Sequence, residues 1–371
     1  MKIAVVSNTS WNILNFRLGL IEALQEQGHE LMYYAPYDNA VQQIALQNSV
    51  PHRTLKHLQR KGYNPIADTR YCIEMYKAFK EDGIELVLNY TVKPNIYGSI
   101  AARLAGVKNI ATVTGVGYLF IKKSFMNKIG GFIYQYGLRF ADRVVFQNKI
   151  DKDLFENNGI CDKSKTSLIN GSGINLRHYR AAETPPPERP FVFLFVARLL
   201  YVKGIKEFIL AANRLHAIHP HIEFHIVGPI DKDNLSAVTE EELQGWLNEN
   251  PQLRYFGKQN DVRSFIQAAH AVVLPSYREG IPRVLLESMA LEKPFVTTNC
   301  AGCIDVTTHG ENGLITEVGS VDGLFDAMNT MQALPFETRR AMGQKGRELV
   351  ERLYDEKFII DEYFRLILSL S

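Results

Sequence analysis

The sequence predicts an α/β protein of two doubly wound, parallel-sheet domains. Three observations lead to this prediction. Short runs rich in Val, Ile and Phe alternate with amphipathic segments along all 371 residues, as in parallel sheets that helices cover on both faces. The chain is long enough for two domains of about 150 residues each. A proline-rich segment stands near its middle, where the balance of charge also changes sign.

The N-terminal half supplies the first set of strands. Its apolar runs are short and bounded by polar residues, which is typical of strands that are buried on both faces. The amphipathic segment Phe16–Gln27 ends at Gly28 and predicts a helix. The predicted strands are Lys2–Val6, Leu31–Ala35, Glu85–Asn89, Ile110–Val113, Val144–Gln147 and Thr166–Ile169.

Residues 184–190 predict a linker. This segment, Thr-Pro-Pro-Pro-Glu-Arg-Pro, holds four prolines in seven residues and can continue neither a helix nor a central strand. Residues 1–180 carry 23 Lys and Arg against 14 Asp and Glu, whereas residues 181–371 carry 19 against 26. A basic first half is expected to face something anionic. We therefore expect a first domain over 1–183 and a second over 191–352.

The C-terminal half repeats the alternation. Its segment Lys203–Ile218 predicts a helix, and the tail from Phe336 to Leu370 has a helical pattern without strands. The last part of this tail, 353–371, can pack back on the first domain. Ligands of doubly wound sheets bind at the carboxyl ends of the strands, so the site is expected on those loops. The predicted strands are Phe191–Ala197, Glu223–Val227, Leu253–Phe256, Ala271–Pro275, Pro294–Thr298 and Leu314–Thr316.

The composition excludes several classes of protein. With 46% apolar and 22% charged residues, the chain is neither disordered nor fibrous. No stretch approaches the roughly 18 apolar residues of a membrane span, and the apolar start is too short for a signal peptide. Four cysteines are too few for a disulfide framework, and Cys300 with Cys303 is a lone pair without zinc spacing. We expect a cytoplasmic protein with no metal, no cofactor and no nucleic-acid partner.

The sharpest motif runs from residue 275 to residue 290. Glu279 and Gly280 follow a buried strand, Pro282 is expected to open a helix, and Glu287 stands about a turn and a half into that helix. Helix N-termini bind anions, so the two carboxylates can bind hydroxyl groups on either side of a phosphate. An ordinary helix pair between Glu287 and Arg283, with Glu279 on the surface, fits the spacing equally well.

These residues resemble the donor-site motif of retaining glycosyltransferases of family 4, whose two glutamates are matched by Glu279 and Glu287. The segment from Val196 to Gly204, with Arg198 and Lys203, is similar to the family's Arg…Lys-Gly segment. The resemblance spans nearly the whole chain. It implies the GT-B fold, in which two Rossmann-like domains face each other across a cleft, with a C-terminal helical tail. The glycine-bearing loops that match are Val227-Gly228-Pro229, Phe256-Gly257, Ala301-Gly302-Cys303 and Asn312-Gly313-Leu314.

The resemblance implies a nucleotide-sugar site in the second domain. Arg198 and Lys203 would stabilise the departing diphosphate, which makes a metal dispensable. Glu279 would contact the donor sugar without attacking it, and Glu287 would hold the ribose hydroxyls. Arg198 can alternatively be an arginine at a strand end that reaches solvent, and Lys203 a solvated lysine at the start of a helix. Further donor-binding residues are expected to be Gly228, Gly257, Gly280, Ile281, Gly302 and Cys303.

Two stretches of the first half, Tyr90–Gly98 and Thr114–Phe120, look like those of enzymes that build capsule and O-antigen repeat units. Such enzymes extend sugars on undecaprenyl diphosphate at the cytoplasmic face of the inner membrane. The sequence departs from the family in two places, since Ser7–Trp11 lacks glycine and Thr114 stands where a histidine is frequent. Residues expected near the acceptor, each of which can equally be a strand-end or capping residue, are Asn8, Phe16, Arg17, Lys93, Asn95, Thr114 and Gly115.

Two basic stretches, Arg53–Tyr63 and Tyr118–Arg143, interleave Lys and Arg with aromatic residues. This pattern predicts peripheral association with an anionic membrane, or else a helix whose aromatic stripe faces the core. The function expected is therefore transfer of a hexose or N-acetylhexosamine from a UDP-sugar to a polyprenyl-diphosphate-linked saccharide. Two alternatives stay open, a UDP-sugar 2-epimerase on the same scaffold and a non-catalytic subunit that binds a sugar nucleotide.

Overall fold

The computed structural model describes residues 1–47, 50–59, 62, 64–115, 125–182, 184, 186–232, 234 and 236–370. The chain divides into two compact units. Unit 1 consists of Met1–Gly173 together with Glu356–Ser371, and unit 2 is Ile174–Asp355. Each unit is a parallel sheet covered by helices, which confirms the predicted fold class.

Unit 1 holds a parallel sheet of seven strands, counted over the described residues. The strands are β1 Lys2–Val6, β2 Glu30–Ala35, β3 His52–Thr54, β4 Leu86–Tyr90, β5 Lys108–Val113, β6 Arg143–Phe146 and β7 Thr166–Leu168. Their order in the sheet is β3-β2-β1-β4-β5-β6-β7. The chain starts in the middle of this sheet, so the winding direction changes between β1 and β4, as in doubly wound folds.

The helices of unit 1 cover both faces of its sheet. They are α1 Ser10–Phe16, α2 Leu18–Glu26, α3 Ala40–Gln47, α4 Pro65–Glu81, α5 Ser99–Ala105, α6 Phe125–Leu138 and α7 Lys149–Asn157. Helices α1 and α2 share one apolar cluster with alternate strand residues, and α4 and α5 share another on the opposite face. Side-chain caps start several of them, because Thr9, Asn64 and Asn148 each accept a hydrogen bond from the backbone three residues ahead.

Unit 2 holds a parallel sheet of six strands in the described part of the chain. The strands are β8 Phe191–Val196, β9 Ile222–Val227, β10 Leu253–Tyr255, β11 Ala271–Leu274, β12 Phe295–Thr298 and β13 Gly313–Thr316. Their order is β10-β9-β8-β11-β12-β13, and the winding direction changes between β8 and β11. The helices are α8 Ile205–Ile218, α9 Glu240–Glu249, α10 Arg263–Ala268, α11 Arg283–Ala290, α12 Cys303–Val306, α13 Val321–Ala333 and α14 Phe336–Leu353.

The last helix, α15, spans Glu356–Leu368 and belongs to unit 1. Its buried residues Ile359, Tyr363 and Ile367 join the apolar cluster under α1 and α2. The hydroxyl of Tyr363 lies 2.8 Å from Oγ1 of Thr112 on β5, and both groups are buried. The end of the chain therefore completes the core of the N-terminal unit.

The division between the units differs from the predicted linker at 184–190. Ile174 is fully buried in the unit 2 core, and its N–H donates to the carbonyl of Tyr354. The proline-rich segment runs along unit 2, where the ring of His270 lies 2.9 Å from the carbonyl of Pro187 and Arg339 binds Glu188. Burial lowers the pKa of His270 to about 4, so the ring is neutral and can accept from the N–H of Val192. Residues 174–190 therefore belong to unit 2 and do not join the units.

Three helix boundaries also differ from those predicted. The first helix breaks at Arg17, whose backbone is not helical, and gives α1 and α2. The helix predicted from Lys203 begins at Ile205, because Gly204 takes a left-handed conformation after a short 3₁₀ turn. Pro282 precedes the first residue of α11 and does not open the helix.

Some of the predicted features lie outside the described residues. Among the described residues, no helix is long and apolar enough to span a membrane. The first basic stretch loses Arg60, Lys61 and Tyr63, and the second loses its beginning, since Val116–Ser124 lie outside the described residues. Glu183, at the end of the predicted first domain, and Pro185, in the proline-rich segment, also lie outside.

Candidate active site

The residues predicted for the donor converge on one edge of the unit 2 sheet. Arg198 and Lys203 follow β8, Gly228 follows β9, and Glu279 follows β11. Strands β8, β9 and β11 are neighbours in the sheet and run parallel, so their carboxyl ends meet at this edge. Gly257 follows β10, and Gly302 follows β12 at the same edge. A doubly wound sheet binds its ligands here, at the change of winding direction.

Lys203 and Glu279 are in direct contact. The ammonium Nζ of Lys203 lies 2.5 Å from Oε1 of Glu279, and the side chains are 20% and 11% exposed. The hydroxyl of Ser276 donates to the same carboxylate oxygen at 2.7 Å. Two backbone contacts hold the loops together, from the N–H of Tyr277 to the carbonyl of Val202 and from the N–H of Glu279 to the carbonyl of Ala301. The pair is thus fixed at the junction of the loops that follow β8, β11 and β12.

Arg198 points toward the other neighbour of β8. Its guanidinium Nη1 lies 2.6 Å from Oδ2 of Asp231, in the loop after β9, and its side chain is 47% exposed. The arginine is therefore held at the carboxyl edge by a carboxylate and remains open to solvent. Arg198 and Lys203, five residues apart in sequence, hold different carboxylates.

Glu287 is buried on α11 and is bound from two sides. Its Oε1 accepts from the hydroxyl of Tyr179 at 2.8 Å and from Nε of Arg283 at 3.1 Å. The second contact is the helix pair that the sequence left open as an alternative. Burial and the charge of Glu287 raise the pKa of Tyr179, so the phenol stays protonated and donates.

Three glycines at this edge leave no room for a side chain. A Cβ on Gly228 would lie 1.8 Å from the carbonyl oxygen of Ala197, and one on Gly302 would lie 2.1 Å from that of Gly280. A Cβ on Gly204 would lie 2.1 Å from the carbonyl oxygen of Pro275. All three have a positive φ, which glycine adopts at least cost. Gly257 also has a positive φ, but among the described atoms nothing lies within 4 Å of its Cβ position.

Cys303 is fully buried, and its side chain belongs to the apolar cluster of unit 2. Burial raises the pKa of the Cys303 thiol well above its usual range. Its contribution to a ligand would therefore come from its backbone at the start of α12. Ile281 is half-buried and packs against the same cluster, next to Glu279 and Gly280.

The residues predicted for the acceptor lie at the carboxyl edge of the unit 1 sheet, but several are committed to the core. Lys93 binds Asp68 of α4, with Nζ 2.6 Å from Oδ1 and side chains 11% and 3% exposed. Asn95 is buried and donates to the carbonyl of Thr112 and to the hydroxyl of Tyr134. These contacts give Lys93 and Asn95 structural partners inside unit 1.

The remaining acceptor-side residues surround the ends of β1, β4 and β5. Arg17 is buried with its guanidinium 3.9 Å above the ring of Tyr90, and Phe16 packs edge-on against Trp11. Asn8 is half-buried in the loop after β1. Thr114 and Gly115 are half-buried after β5. The predicted set therefore shares one edge of the sheet.

Several residues at the carboxyl edge of unit 2 were not predicted from the sequence. Tyr179 stands 108 positions from Glu287 and carries no motif. Asp231 lies three residues after Gly228, and Ser276 lies three before Glu279, so each is close to a predicted residue. Asp231 and Ser276 could have been found from the sequence, because each closely follows the end of a predicted strand.

This edge combines cations, carboxylates and close backbone approaches. Lys203 and Arg198 can stabilise the negative charge of a diphosphate, and carboxylates such as Glu279 can accept from sugar hydroxyls. No group of three or more His, Cys, Asp or Glu side chains is placed to hold a metal ion in the part of the chain that the structure describes.

Comparison with known families decides the class. Residues 180–349 match the family described as "Glycosyl transferases group 1", and residues 2–148 match "Glycosyl transferase 4-like". The chain is a glycosyltransferase, whose C-terminal part is of the group 1 type and whose N-terminal part is of the 4-like type. The recognition made from the sequence motifs is thereby confirmed.

Curated relatives of this glycosyltransferase align over most of its length. The N,N'-diacetylbacillosaminyl-diphospho-undecaprenol alpha-1,3-N-acetylgalactosaminyltransferase of Campylobacter jejuni is 25% identical over 99% of this chain and 98% of its own. The UDP-Gal:alpha-D-GlcNAc-diphosphoundecaprenol alpha-1,3-galactosyltransferase of Escherichia coli is 25% identical over 71% of this chain and 70% of its own. Among solved structures, Anabaena Alr3699/HepE in complex with UDP-glucose superposes with a TM-score of 0.82 at 17% identity, covering 100% of both chains. This last likeness shows a shared fold.

Proposed function

We propose that this glycosyltransferase moves a sugar from a UDP-sugar to a saccharide linked to undecaprenyl diphosphate, with retention at the anomeric carbon and without a metal ion. The Lys203–Glu279 pair at the carboxyl edge of the unit 2 sheet is the observation that supports donor binding there. It puts one cation and one carboxylate where three parallel strands end, among glycines that let the surrounding loops pack backbone against backbone.

The proposed donor specificity and acceptor class draw support from the relatives. The Campylobacter and Escherichia enzymes are named for acceptors on undecaprenyl diphosphate, and the Escherichia enzyme is named for UDP-Gal. The Anabaena structure of the same fold holds UDP-glucose.

In the proposed reaction the acceptor hydroxyl forms a bond to the anomeric carbon while the bond from that carbon to the diphosphate breaks. The hydroxyl proton passes to the departing phosphate on the same face of the sugar. Lys203 and Arg198 supply positive charge as the diphosphate leaves, and this role accounts for a reaction without a metal. Glu279 orients the sugar and supports the developing charge, and Glu287 holds the ribose.

The decisive experiment incubates the purified protein with UDP-sugars and a synthetic polyprenyl-diphosphate sugar, with chelator added to remove metal ions. We expect release of UDP and a product whose new linkage has the anomeric configuration of the donor by NMR. An inverted linkage, or activity that returns only with added metal, would contradict the corresponding part of the proposal. An epimer formed from the UDP-sugar alone would identify an epimerase, and UDP binding without turnover would identify a non-catalytic subunit.

The two glutamates separate the roles. We expect Glu279→Gln to lower kcat by about 10²–10³-fold with little change in UDP affinity, because the loss falls on the transition state. Glu287→Gln is expected mainly to weaken UDP binding, as measured by calorimetry. Glu249→Gln, an exposed glutamate at the end of α9, is the matched control and should change neither. Equal and small effects from Glu279→Gln and Glu287→Gln would overturn this assignment.

A further inference from the structure

Three side chains of unit 2 meet at one carboxylate. Glu287 and Arg283 stand one turn apart on α11, and Tyr179 reaches them from the segment that leads from Ile174 to β8. The hydroxyl of Tyr179 and Nε of Arg283 lie 2.8 Å and 3.1 Å from the same oxygen, Oε1 of Glu287. We call these three residues the Tyr179 cluster.

Tyr179 is held in place by arginines of two other helices. The guanidinium of Arg347, on α14, donates to the carbonyl of Tyr179 and also to that of Ala290 at the end of α11, each at 2.7 Å. Arg263, on α10, donates to the carbonyl of His178, and its guanidinium lies 5.9 Å from the centre of the Tyr179 ring. The phenol is therefore fixed relative to α11, where Glu287 stands.

Unit 1 contains a cluster of the same chemistry. The hydroxyl of Tyr34 donates to Oδ2 of Asp82 at 2.6 Å, and Nη1 of Arg53 donates to Oδ1 of that residue at 3.0 Å. Asp82 stands between α4 and β4, at the amino edge of the sheet. The side chains of Asp82 and Glu287 are largely buried, at 16% and 10% exposed. The Tyr34 cluster therefore provides a comparison away from the candidate site.

The two clusters differ in which carboxylate oxygens they use. In Asp82 each oxygen receives a hydrogen bond, one from the tyrosine and one from the arginine, so unit 1 satisfies the carboxylate by itself. In Glu287 both hydrogen bonds fall on Oε1, and among the described residues none reaches Oε2. A largely buried carboxylate oxygen needs a donor from water or from a ligand. Oε2 is therefore the atom of Glu287 that a ligand hydroxyl can bind.

We propose that Tyr179 is a positioning residue for the donor nucleotide. Together with Arg283 it holds Oε1 of Glu287, so that Oε2 accepts from the ribose hydroxyls. The inference rests on the proposed function, in which Glu287 holds the ribose of the UDP-sugar. A carboxylate that is ordered before the ligand arrives loses less entropy on binding. The cluster thus favours ribonucleotide donors over donors that lack ribose hydroxyls.

Binding of UDP and of 2′,3′-dideoxy-UDP, measured by calorimetry, tests the proposal, because the two ligands differ only in the ribose hydroxyls. We expect the unmodified protein to bind UDP at least about 10-fold more tightly. Tyr179→Phe should lower the affinity for UDP about 10-fold, since a hydrogen bond to a charged group is lost. Its affinity for 2′,3′-dideoxy-UDP should change by less than about twofold, because the oriented oxygen has no hydroxyl to bind.

Tyr34→Phe is the matched control. It removes the same kind of hydrogen bond, from a tyrosine to a carboxylate that an arginine also binds. Circular dichroism should show both variants folded, and their unfolding temperatures should fall by similar amounts. Tyr179→Phe should reduce the preference for UDP, and Tyr34→Phe should leave it unchanged. An equal change in Tyr34→Phe would overturn the proposal.

The variant Glu287→Gln shows whether Tyr179 acts through the carboxylate. Adding Tyr179→Phe to Glu287→Gln should weaken UDP binding by less than about twofold more, because residues in contact couple. Full additivity would mean that Tyr179 acts independently of Glu287 and would overturn the proposal. In steady-state kinetics, Tyr179→Phe should raise KM for the UDP-sugar about 10-fold and leave kcat within about twofold, since the ribose is bound alike in the ground and transition states.

The outcomes separate this inference from the proposed function. An unmodified protein that binds UDP and 2′,3′-dideoxy-UDP equally would refute the ribose role of Glu287, and the inference with it. A preference for UDP that survives intact in Tyr179→Phe would refute the inference and leave the proposed function standing. Equal losses for both nucleotides in that variant would do the same, because the tyrosine would then act only on the fold of unit 2.

Discussion

Each unit of the molecule has a lysine bound to a carboxylate at the carboxyl edge of its sheet, and the two pairs differ in what surrounds them. In unit 2, Lys203 lies 2.5 Å from Glu279, and the side chains are 20% and 11% exposed. In unit 1, Lys93 lies 2.6 Å from Asp68, and they are 11% and 3% exposed. The sequence predicted both lysines as functional residues.

The contacts around each pair indicate whether it belongs to a functional site or stabilises the fold. Lys203 and Glu279 join two loops of the sheet edge, where Gly204 and Gly302 let these loops pack backbone against backbone. Asp68 belongs to a helix, and it also accepts from the hydroxyl of Tyr97 and from the N–H of Asn64. A buried carboxylate with three donors is satisfied by its own unit, so Lys93 stabilises unit 1. A lysine at a strand end is therefore a weak sign of function until its partner is known.

The largest effect is expected where the loop that carries Lys203 meets β11. Gly204 (φ 74°, ψ 25°) and Gly106 at the end of α5 (φ 72°, ψ 25°) have nearly the same backbone conformation, one in each unit. A Cβ on Gly204 would strike the carbonyl of Pro275, whereas among the described atoms nothing lies within 4 Å of that position at Gly106. We expect Gly204→Ala to cost more than about 4 kcal/mol of unfolding free energy and Gly106→Ala about 1 kcal/mol.

Urea denaturation of the two glycine variants, followed by circular dichroism, measures these costs. Because the backbone strain is shared, the difference between them isolates the close approach of the loops in unit 2. Equal costs would mean that strain alone matters and that the edge of unit 2 is no tighter than a helix end in unit 1.

The second largest effect concerns the Lys93–Asp68 pair in unit 1. We expect Lys93→Met to cost about 3–5 kcal/mol, because it leaves the carboxylate of Asp68 buried without its cation. The double variant Lys93→Met, Asp68→Asn should recover much of the loss, since no buried charge is left. Thermal unfolding of the single and double variants tests this. A Lys93→Met protein of normal stability that no longer binds the acceptor would support the predicted acceptor role of Lys93 and contradict this structural one.

Much of the fold could be predicted because buried parallel strands have a strong local signature. All six strands predicted in unit 2 are present, and in unit 1 β3 was missed. That strand has three residues, His-Arg-Thr, at the edge of the sheet, and so it carries no apolar run. The placement of residues 174–190 could not be predicted either, because a proline-rich segment can run over a surface as well as join two bodies.

The candidate site was predictable where the residues belong to motifs and not where they act through distant partners. Glu279, Lys203 and the glycines Gly228 and Gly302 could be named because strand–turn–helix spacing places them. That Tyr179 binds Glu287 depends on tertiary packing. A contact between residues this far apart in sequence cannot be predicted from a local motif. For the same reason, the sequence could not show that Lys93 is more buried than Lys203.

The smallest effect on stability is expected from the unit 2 pair itself. Lys203→Met should cost about 1–2 kcal/mol of unfolding free energy, less than Lys93→Met, since Glu279 keeps the hydroxyl of Ser276 and is less deeply buried than Asp68. Its cost should appear in turnover, by about 10²–10³-fold in kcat, because the cation acts on the leaving diphosphate in the transition state. Steady-state kinetics and denaturation on the same preparation measure both. A Lys203→Met protein that is as destabilised as Lys93→Met and still active would contradict this. Both pairs would then be structural, and other residues would stabilise the charge on the diphosphate.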